Sequence, residues 1–230
     1  MATVKRIVCL ANSRKHSGGS DNRCIAGIEL SGHRAVGWIR PVSSREREEV
    51  SKLERQYQGG VDPRVLDIID VPLLEPRPKG HQQENWLLDP ERHWVKIGNL
   101  AWSDLHRLAD PVAPLWINGG STIKGLNDEV PLSRTTADDG SLRLIRVGKL
   151  ILSVFYYYNR RRVQGRFRYD GTQYWLWVTD PQYERAYLAK PDGEYEIGES
   201  FLTVSLGEPY KDACYKLIAA IIERGGGTGA

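Results

Sequence analysis

The fold of this chain is decided by one stretch of its C-terminal half, Arg162-Val-Gln-Gly-Arg-Phe-Arg-Tyr-Asp-Gly-Thr-Gln-Tyr-Trp-Leu-Trp-Val-Thr179. The dipeptide Asp170-Gly171 separates two runs in which polar and apolar residues alternate. Asp-Gly between strand-like runs favours a two-residue type I′ turn, because both turn positions need a positive φ. So short a turn leaves no freedom in the register, and Tyr169 must pair with Thr172. The stretch therefore predicts a β-hairpin of defined register.

This register gives the hairpin two chemically different faces. One face is apolar and carries Phe167 beside Tyr174. The other places Arg166 opposite Trp175. Cross-strand neighbours stand ~5 Å apart, so arginines and indole rings should form a continuous strip. Two interpretations are open here: a nucleic-acid-binding face, or Trp175 and Trp177 packed against the other barrel with a local cation–π contact of Arg166. The strip consists of Arg162, Gln164, Arg166, Arg168, Trp175 and Trp177.

The elements around the hairpin follow the order of an OB-fold, a five-stranded Greek-key barrel. A strand-like run, Leu142 to Phe155, precedes the hairpin, and Asp180-Pro181 after it is typical of a helix start. Two apolar runs follow, Phe201 to Leu206 and Cys214 to Ile222. The second of these runs has no clean period and could also form a helix. Residues 141–224 are therefore expected to form an OB-like barrel.

The N-terminal part repeats this order, so residues 1–75 are expected to form a first OB-like barrel. Ser43-Ser-Arg-Glu46 has the pattern of a capping box that opens a helix. Pro72 indicates that its strand lies at a sheet edge. The strand candidates are Val4 to Ala11, Arg23 to Leu30, Arg34 to Ile39, Val65 to Leu74 and, as a weaker fifth, Trp94 to Ile97.

Two further segments complete the predicted organisation. Residues 76–140 are rich in Pro, Gly, Asn and Trp and suggest an irregular connecting segment packed between the barrels. Residues 225–230 are glycine-rich and are expected to be a disordered tail. The fold class predicted from sequence is thus mainly β: two OB-like five-stranded barrels with short helices and an irregular connecting segment.

Composition and charge narrow the functional classes. The net charge of the 230 residues is only +3, yet segments 1–45 and 141–170 each hold eight Lys/Arg against two carboxylates and one, respectively. Such segments favour a localised anion-binding surface over a diffuse one. Three scattered cysteines without a C-x-x-C pair argue against a disulfide framework or a zinc ribbon. With no signal peptide and no apolar run of ~20 residues, a cytoplasmic protein without membrane contact is expected.

Catalytic patterns are missing from the sequence. Gly193 to Gly198 has the spacing of a phosphate-binding loop, but Glu199-Ser200 follows where Lys and Ser/Thr are required. The five histidines show no metal-ligand spacing. We therefore expect no catalytic residue, no metal and no cofactor, and a non-catalytic protein.

Further binding candidates lie in two basic loops and one strand. The loop after the first strand offers a polar amide, a hydroxyl and cations for phosphate groups, and a strand of the same half offers an indole beside a guanidinium. Each set also has a plain structural interpretation, as a solvated turn, a core tryptophan with a local arginine contact, or a charged loop. These candidates are Asn12, Ser13, Arg14, Lys15 and Arg23, then Trp38 and Arg40, then Arg160, Arg161 and Arg162.

Five motifs in fixed order together resemble the bacterial dual OB-containing domain family, over about Val4 to Glu223. The resemblance implies two OB-like barrels and suggests nucleic-acid binding in defence-type gene contexts. It carries no catalytic residues. The motifs are Val8-Cys-Leu-Ala-Asn-Ser-Arg-Lys15, Gly37-Trp-Ile-Arg-Pro-Val-Ser43, Gln83-Glu-Asn-Trp86, Val178-Thr-Asp-Pro181 and Thr203-Val-Ser-Leu-Gly-Glu-Pro209.

Three functional hypotheses follow from the sequence. The first is a nucleic-acid-binding protein that prefers single strands, ends or junctions, and acts with a partner ATPase, helicase or nuclease in a DNA- or RNA-processing or defence system. The second is a sensor or hydrolase for a nucleotide or small anion, with a pocket between the barrels built from Asn12, Ser13, Arg14, Arg40 and Asn85. The third is a protein–protein adaptor that uses the Arg/Trp strip as its contact surface.

Overall fold

The structure of the protein, a computed structural model, describes residues 2–14, 21–32 and 34–225. It is mostly β, with 52% strand and 11% helix. The chain divides into two compact units, Met1–Leu108 and Ala109–Ala230, called unit 1 and unit 2 below. The boundary falls inside the expected connecting segment 76–140, so that segment is corrected: its first part supplies strands to unit 1 and the rest belongs to unit 2.

Unit 1 is a closed five-stranded barrel with one added strand. Its strands follow the order β1-β2-β3-β5-β4, and β4 also pairs with β1, which closes the ring. β3 and β5 run parallel and the other pairs antiparallel, while β6 adds to β4. This is the strand order of an OB-fold. The elements are β1 Thr3–Ser13, β2 Cys24–Ser31, β3 Arg34–Val42, α1 Lys52–Arg55, β4 Asp67–Pro76, β5 Asn85–Leu88, β6 Val95–Asn99 and a 3-10 helix at Trp102–Arg107.

Three expectations for unit 1 need correction. The barrel's fifth strand is β5, while the candidate at Trp94–Ile97 corresponds to the added strand β6. The capping box is formed by Ser51 and Glu54, because residues 44–47 form a bend and a turn and the helix begins only after Ser51. β4 is paired on both sides, so Pro72 does not mark an edge strand.

The position of Pro72 has a simple physical basis. On one side of β4 the neighbouring strand changes from β6 to β5 between Asp70, which pairs with Val95, and Leu73, which pairs with Leu88. The Pro72 carbonyl points to that side, since it accepts from the Asp89 N–H at 3.1 Å. The missing N–H of the proline therefore falls where the strand partner changes.

Unit 2 repeats the OB order, with its first strand broken in two. β9, β10, β11, β14, β13 and β8 follow one another in the sheet, and Gly148-Lys149 joins β8 directly to β9. The run expected at Leu142 to Phe155 is thus two strands, one pairing with β13 and one with β10. β12 adds to β9, and β7 adds to β14.

The structure of unit 2 also decides whether the last apolar run of the sequence is a helix or a strand. The apolar run at Cys214 to Ile222 is a strand, because it completes the barrel between β11 and β13. The elements are β7 Glu129–Pro131, β8 Leu142–Val147, β9 Leu150–Tyr157, β10 Arg160–Tyr169, β11 Thr172–Val178, α2 Pro181–Leu188, β12 Gly193–Ile197, β13 Ser200–Leu206 and β14 Ala213–Glu223, with 3-10 helices at Leu132–Arg134 and Ala137–Asp139.

The hairpin of β10 and β11 has the predicted register. Asp170 and Gly171 both have positive φ, 45° and 73°, as a type I′ turn requires. Tyr169 pairs with Thr172, and Arg166 with Trp175. The predicted apolar face lies in the core of unit 2, which also confirms the assignment of the two faces. That face includes Val163, Phe167, Tyr174, Leu176 and Val178, all buried.

Asp180 ties α2 to the barrel. As the N-cap of α2, its Oδ1 accepts from the N–H groups of Gln182 and Tyr183, as the sequence predicts, and its Oδ2 accepts from the Ile221 N–H of β14 at 3.1 Å. Burial raises the pKa of this carboxyl to about 6, against the opposing effect of the three N–H donors. A charged form is thus costly despite good hydrogen bonds.

The close approach of β1 and β2 depends on a glycine. A Cβ built at Gly27 would lie 2.2 Å from the backbone oxygen of Val8, whereas one at Gly37, on the neighbouring strand β3, meets nothing within 4 Å. We expect Gly27→Ala to lower the free energy of unfolding by about 1–3 kcal/mol, since the backbone must shift. Gly37→Ala, the matched control, should change it by less than about 0.5 kcal/mol. Urea denaturation measures both, and equal effects would contradict the close approach.

The raised pKa of Asp180 predicts a pH-dependent stability. A carboxyl protonated more readily in the folded than in the unfolded state stabilises below about pH 4 and loses that contribution as the pH rises to about 6. Asp180→Asn keeps an uncharged acceptor, so we expect the wild type to lose on the order of 1–3 kcal/mol relative to this variant between those pH values. Denaturation curves of both proteins at several pH values provide the measurement. A difference that is constant with pH would contradict the burial argument.

Candidate nucleic-acid interface

The candidate interface is the outer face of the β9–β10–β11 sheet in unit 2. Strand alternation turns every second side chain of these strands away from the core, and the register sets Arg166 beside Ile151 on one side and Trp175 on the other. This outer face carries Arg162, Gln164, Arg166 and Arg168 from β10, Trp175 and Trp177 from β11, and Phe155 and Tyr157 from β9.

At one end of the outer face, Trp177 is enclosed by its neighbours. Tyr157 stacks on it with ring centroids 5.4 Å apart, and Phe155 lies 5.8 Å away. The Arg162 guanidinium sits 5.2 Å from the centre of the Trp177 ring system. Trp177, which is half-buried, thus forms a local aromatic cluster within unit 2 together with Tyr157, Phe155 and Arg162.

The middle of the outer face is covered by the loop Gly119–Asp128, called the covering loop below. Gln164 is only 1% exposed, and its Nε2 donates to the Lys124 carbonyl at 2.6 Å. Leu126 pairs with the backbone of Trp175 through bonds of 3.0 and 3.3 Å. The strip is therefore interrupted at Gln164, which corrects the expected continuous arrangement, because a loop some forty residues away in sequence lies over it.

The other end of the outer face is open and centred on Trp175 and Arg166. The guanidinium of Arg166 lies 4.6 Å from the centre of the Trp175 ring system. Two open grooves of about 690 and 540 Å³ meet at this pair, since both residues line both grooves. The larger groove is also lined by Gly148, Lys149, Ile151, Phe167, Arg168, Asp170, Gly171 and Gln173, and the smaller by Ile123, Lys124, Ser153, Val154, Phe155, Tyr156, Gln164, Gly193 and Glu194.

Both signs of charge are present along these grooves. Lys149 and the exposed Arg168 add cations to Arg166. Arg166 Nη1 forms an ion pair of 2.6 Å with Glu194 Oε1, and Lys149 Nζ one of 2.6 Å with Glu196 Oε2. Sequence reasoning missed Lys124, Lys149 and the two glutamates. Only Lys149 had a signal, its place in the basic segment 141–170.

The turn between β9 and β10 contributes differently from what the sequence suggested. Arg161 is held within unit 2 by Asp192 at 2.8 Å and by the backbone carbonyls of Leu188 and Lys190. Arg160 is exposed, and nearby Tyr158 is 78% exposed. Only part of this basic loop is thus free to meet a ligand.

The candidates at the end of β1 in unit 1 make internal contacts. Asn12 Nδ2 donates to the Pro63 carbonyl at 2.8 Å, and the buried Ser13 Oγ bonds to the Cys24 carbonyl at 3.4 Å. Arg23 is ion-paired with Asp21 at 2.8 Å. Arg14 is half-buried just after β1, and Lys15 lies outside the described residues.

Trp38 and Arg40 share one face of β3, as predicted, but this face is not an open platform. Arg40 is 8% exposed and paired with Glu84 at 3.1 Å. Asn85, proposed for the same pocket, is fully buried and donates to Gln82 Oε1 at 3.3 Å. Arg40 and Asn85 thus belong to buried polar contacts of unit 1.

No group of three or more His, Cys, Asp or Glu side chains within the described ranges could hold a metal ion. The most perturbed amine is that of Lys216, whose burial lowers its pKa to about 7. Its Nζ donates to the Ile117 carbonyl at 2.8 Å and to Asn118 Oδ1 at 3.2 Å, so this lysine fixes a turn in the interior of unit 2.

No helix in the described part of the chain is long and apolar enough to cross a membrane.

Comparison with protein families agrees with the two barrels described above. Neither the characterised proteins nor the experimentally determined structures include a significant match to this chain. The family described as dual OB-containing domain matches residues 5–221, nearly the whole sequence. The two successive barrels, each with strand order 1-2-3-5-4, are the architecture that this description names. The chain belongs to the dual OB-containing domain family.

Proposed function

We propose that unit 2 binds single-stranded nucleic acid in the two grooves of its outer face. The observation that carries this proposal is the Arg166–Trp175 pair, a guanidinium 4.6 Å from an indole where both grooves meet. Bases of RNA and single-stranded DNA stack on aromatic rings and on arginine planes. OB-folds commonly bind oligonucleotides across the strands equivalent to β10 and β11.

The preference for single strands follows from what such a pair recognises. A base inside a duplex has both its flat faces covered by its neighbours, so only an unpaired base can lie on the ring of Trp175. Ile123 and Lys124 of the covering loop line the smaller groove together with Glu194 of β12.

The cations of the grooves are suited to the phosphate backbone. Arg168 and Lys149 line the larger groove beside Trp175, within reach of the phosphates on either side of a stacked base. Each phosphate neutralised by Lys or Arg releases counterions, so the affinity should fall steeply with salt concentration. Absence of binding to any single-stranded DNA or RNA at ~50 mM salt and micromolar protein would contradict the proposal.

The first test removes the stacking surface. Trp175→Ala should weaken binding of a labelled single-stranded oligonucleotide about tenfold or more, within the 1–3 kcal/mol expected per stacked base, with little change in the salt dependence. Fluorescence anisotropy at several salt concentrations measures both quantities.

Trp177→Ala is the matched control. It also removes an indole ring, two residues from Trp175, but the ring of Trp177 lines neither groove. It should lower the melting temperature and leave the affinity of the folded protein nearly unchanged. If Trp175→Ala instead lowers only the melting temperature, Trp175 has a packing role and the binding face is assigned wrongly.

The second test removes a phosphate contact. Arg166→Ala should weaken single-strand binding and reduce the slope of log affinity against log salt by about one. Arg146→Ala is its control, because Arg146 is also ion-paired, with Glu199, but lines neither groove. Equal changes of slope in both variants would indicate a general charge effect and not a contact at Arg166.

A further inference from the structure

Strand β12 is added to the five-stranded barrel of unit 2, and it places two glutamates on the proposed binding face. Among the strands of the described residues it pairs with β9 alone, so it forms one border of the sheet. Glu194 lies beside Ser153 and Glu196 beside Ile151, which places both glutamates on the outer face. Glu196 of β12, Ile151 of β9, Arg166 of β10 and Trp175 of β11 lie side by side across the sheet. The acidic strand β12 is thus two strands away from β10, which carries the arginines.

These carboxylates are not needed to hold the sheet together. Glu194 and Glu196 are 57% and 64% exposed in their side chains, although each touches a cation at 2.6 Å. Exposed ion pairs of this kind contribute little to stability. Their position on the surface, next to the proposed phosphate contacts, therefore calls for a reason other than folding.

The spacing of the strands indicates what the acidic border does to a ligand. Neighbouring strands lie about 4.8 Å apart, so β12 runs about 10 Å from β10. The two backbones of a duplex are separated by grooves of about 6 and 12 Å. A duplex whose first backbone follows the arginines of β10 thus brings its second backbone close to Glu194 and Glu196.

On the opposite side of the face, the covering loop occupies the space next to β11. There the covering loop is fixed to β11, since Leu126 pairs with Trp175 and Asn127 Nδ2 donates to the Gln173 carbonyl at 2.9 Å. A single strand has no second backbone to be repelled. Its one backbone lies over Arg166, Arg168 and Lys149, where its phosphates replace the Glu194 and Glu196 carboxylates as partners of Arg166 and Lys149.

We propose that Glu194 and Glu196 are specificity-determining residues that reject duplex nucleic acid by placing like charge against its second backbone. This inference rests on the proposed function and adds to it the basis of strand selection. Discrimination is here a repulsion built against the wrong partner, not an extra attraction for the right one.

The test neutralises the border without changing its shape. For the double variant Glu194→Gln/Glu196→Gln, we expect the affinity for duplex to rise about tenfold. The affinity for a single strand should rise at most about threefold, because the glutamates repel the second backbone of a duplex more strongly than they oppose a single strand. Anisotropy titrations use one labelled oligonucleotide, alone and annealed to its complement, at a fixed salt concentration. The melting temperature of the variant should stay close to that of the wild type.

Glu199→Gln is the matched control, since Glu199 is paired with Arg146 and lines neither groove. It should leave the ratio of duplex to single-strand affinity unchanged. If the double variant strengthens both ligands equally, or neither, then the glutamates do not select strands, while the proposed binding of single strands still stands. If wild-type protein binds no single strand, the proposed function itself fails and the inference fails with it.

Discussion

The two-residue turn at Asp170-Gly171 is the constraint on which the candidate site depends. Because both residues take positive φ, β10 and β11 pair without slack, and a shift of one residue would exchange the faces of every side chain. The same register buries Phe167 and Tyr174 and turns Arg166 and Trp175 outward. Core and candidate binding face are thus two results of one local geometry.

Longer-range contacts then decide which part of the outward face is usable. The covering loop buries Gln164, and the aromatic neighbours of Trp177 enclose its ring. What stays open is the end with Arg166 and Trp175, where cations and carboxylates stand side by side. The resulting site is smaller and less positive than the string of arginines in β10 suggests.

The two units show how one fold carries different surfaces. Both barrels share the strand order of the OB-fold, and both place a tryptophan and an arginine on one face of a central hairpin. In unit 1, Arg40 is paired with Glu84 and almost fully buried, whereas in unit 2 the corresponding kind of pair borders two open grooves. Function therefore has to be argued from each site and not from the fold.

The sequence by itself determined the hairpin register, its two faces, the cap of α2 at Asp180 and the order of elements of two OB barrels. These features depend on residues close together in the chain, whose alternation and turn chemistry act locally. Tertiary structure alone decided that Asn85–Leu88 closes the first barrel, that Lys124 covers Gln164 and that Glu194 reaches Arg166. Those contacts join residues far apart in sequence, and no local pattern encodes them because they exist only once the strands have closed.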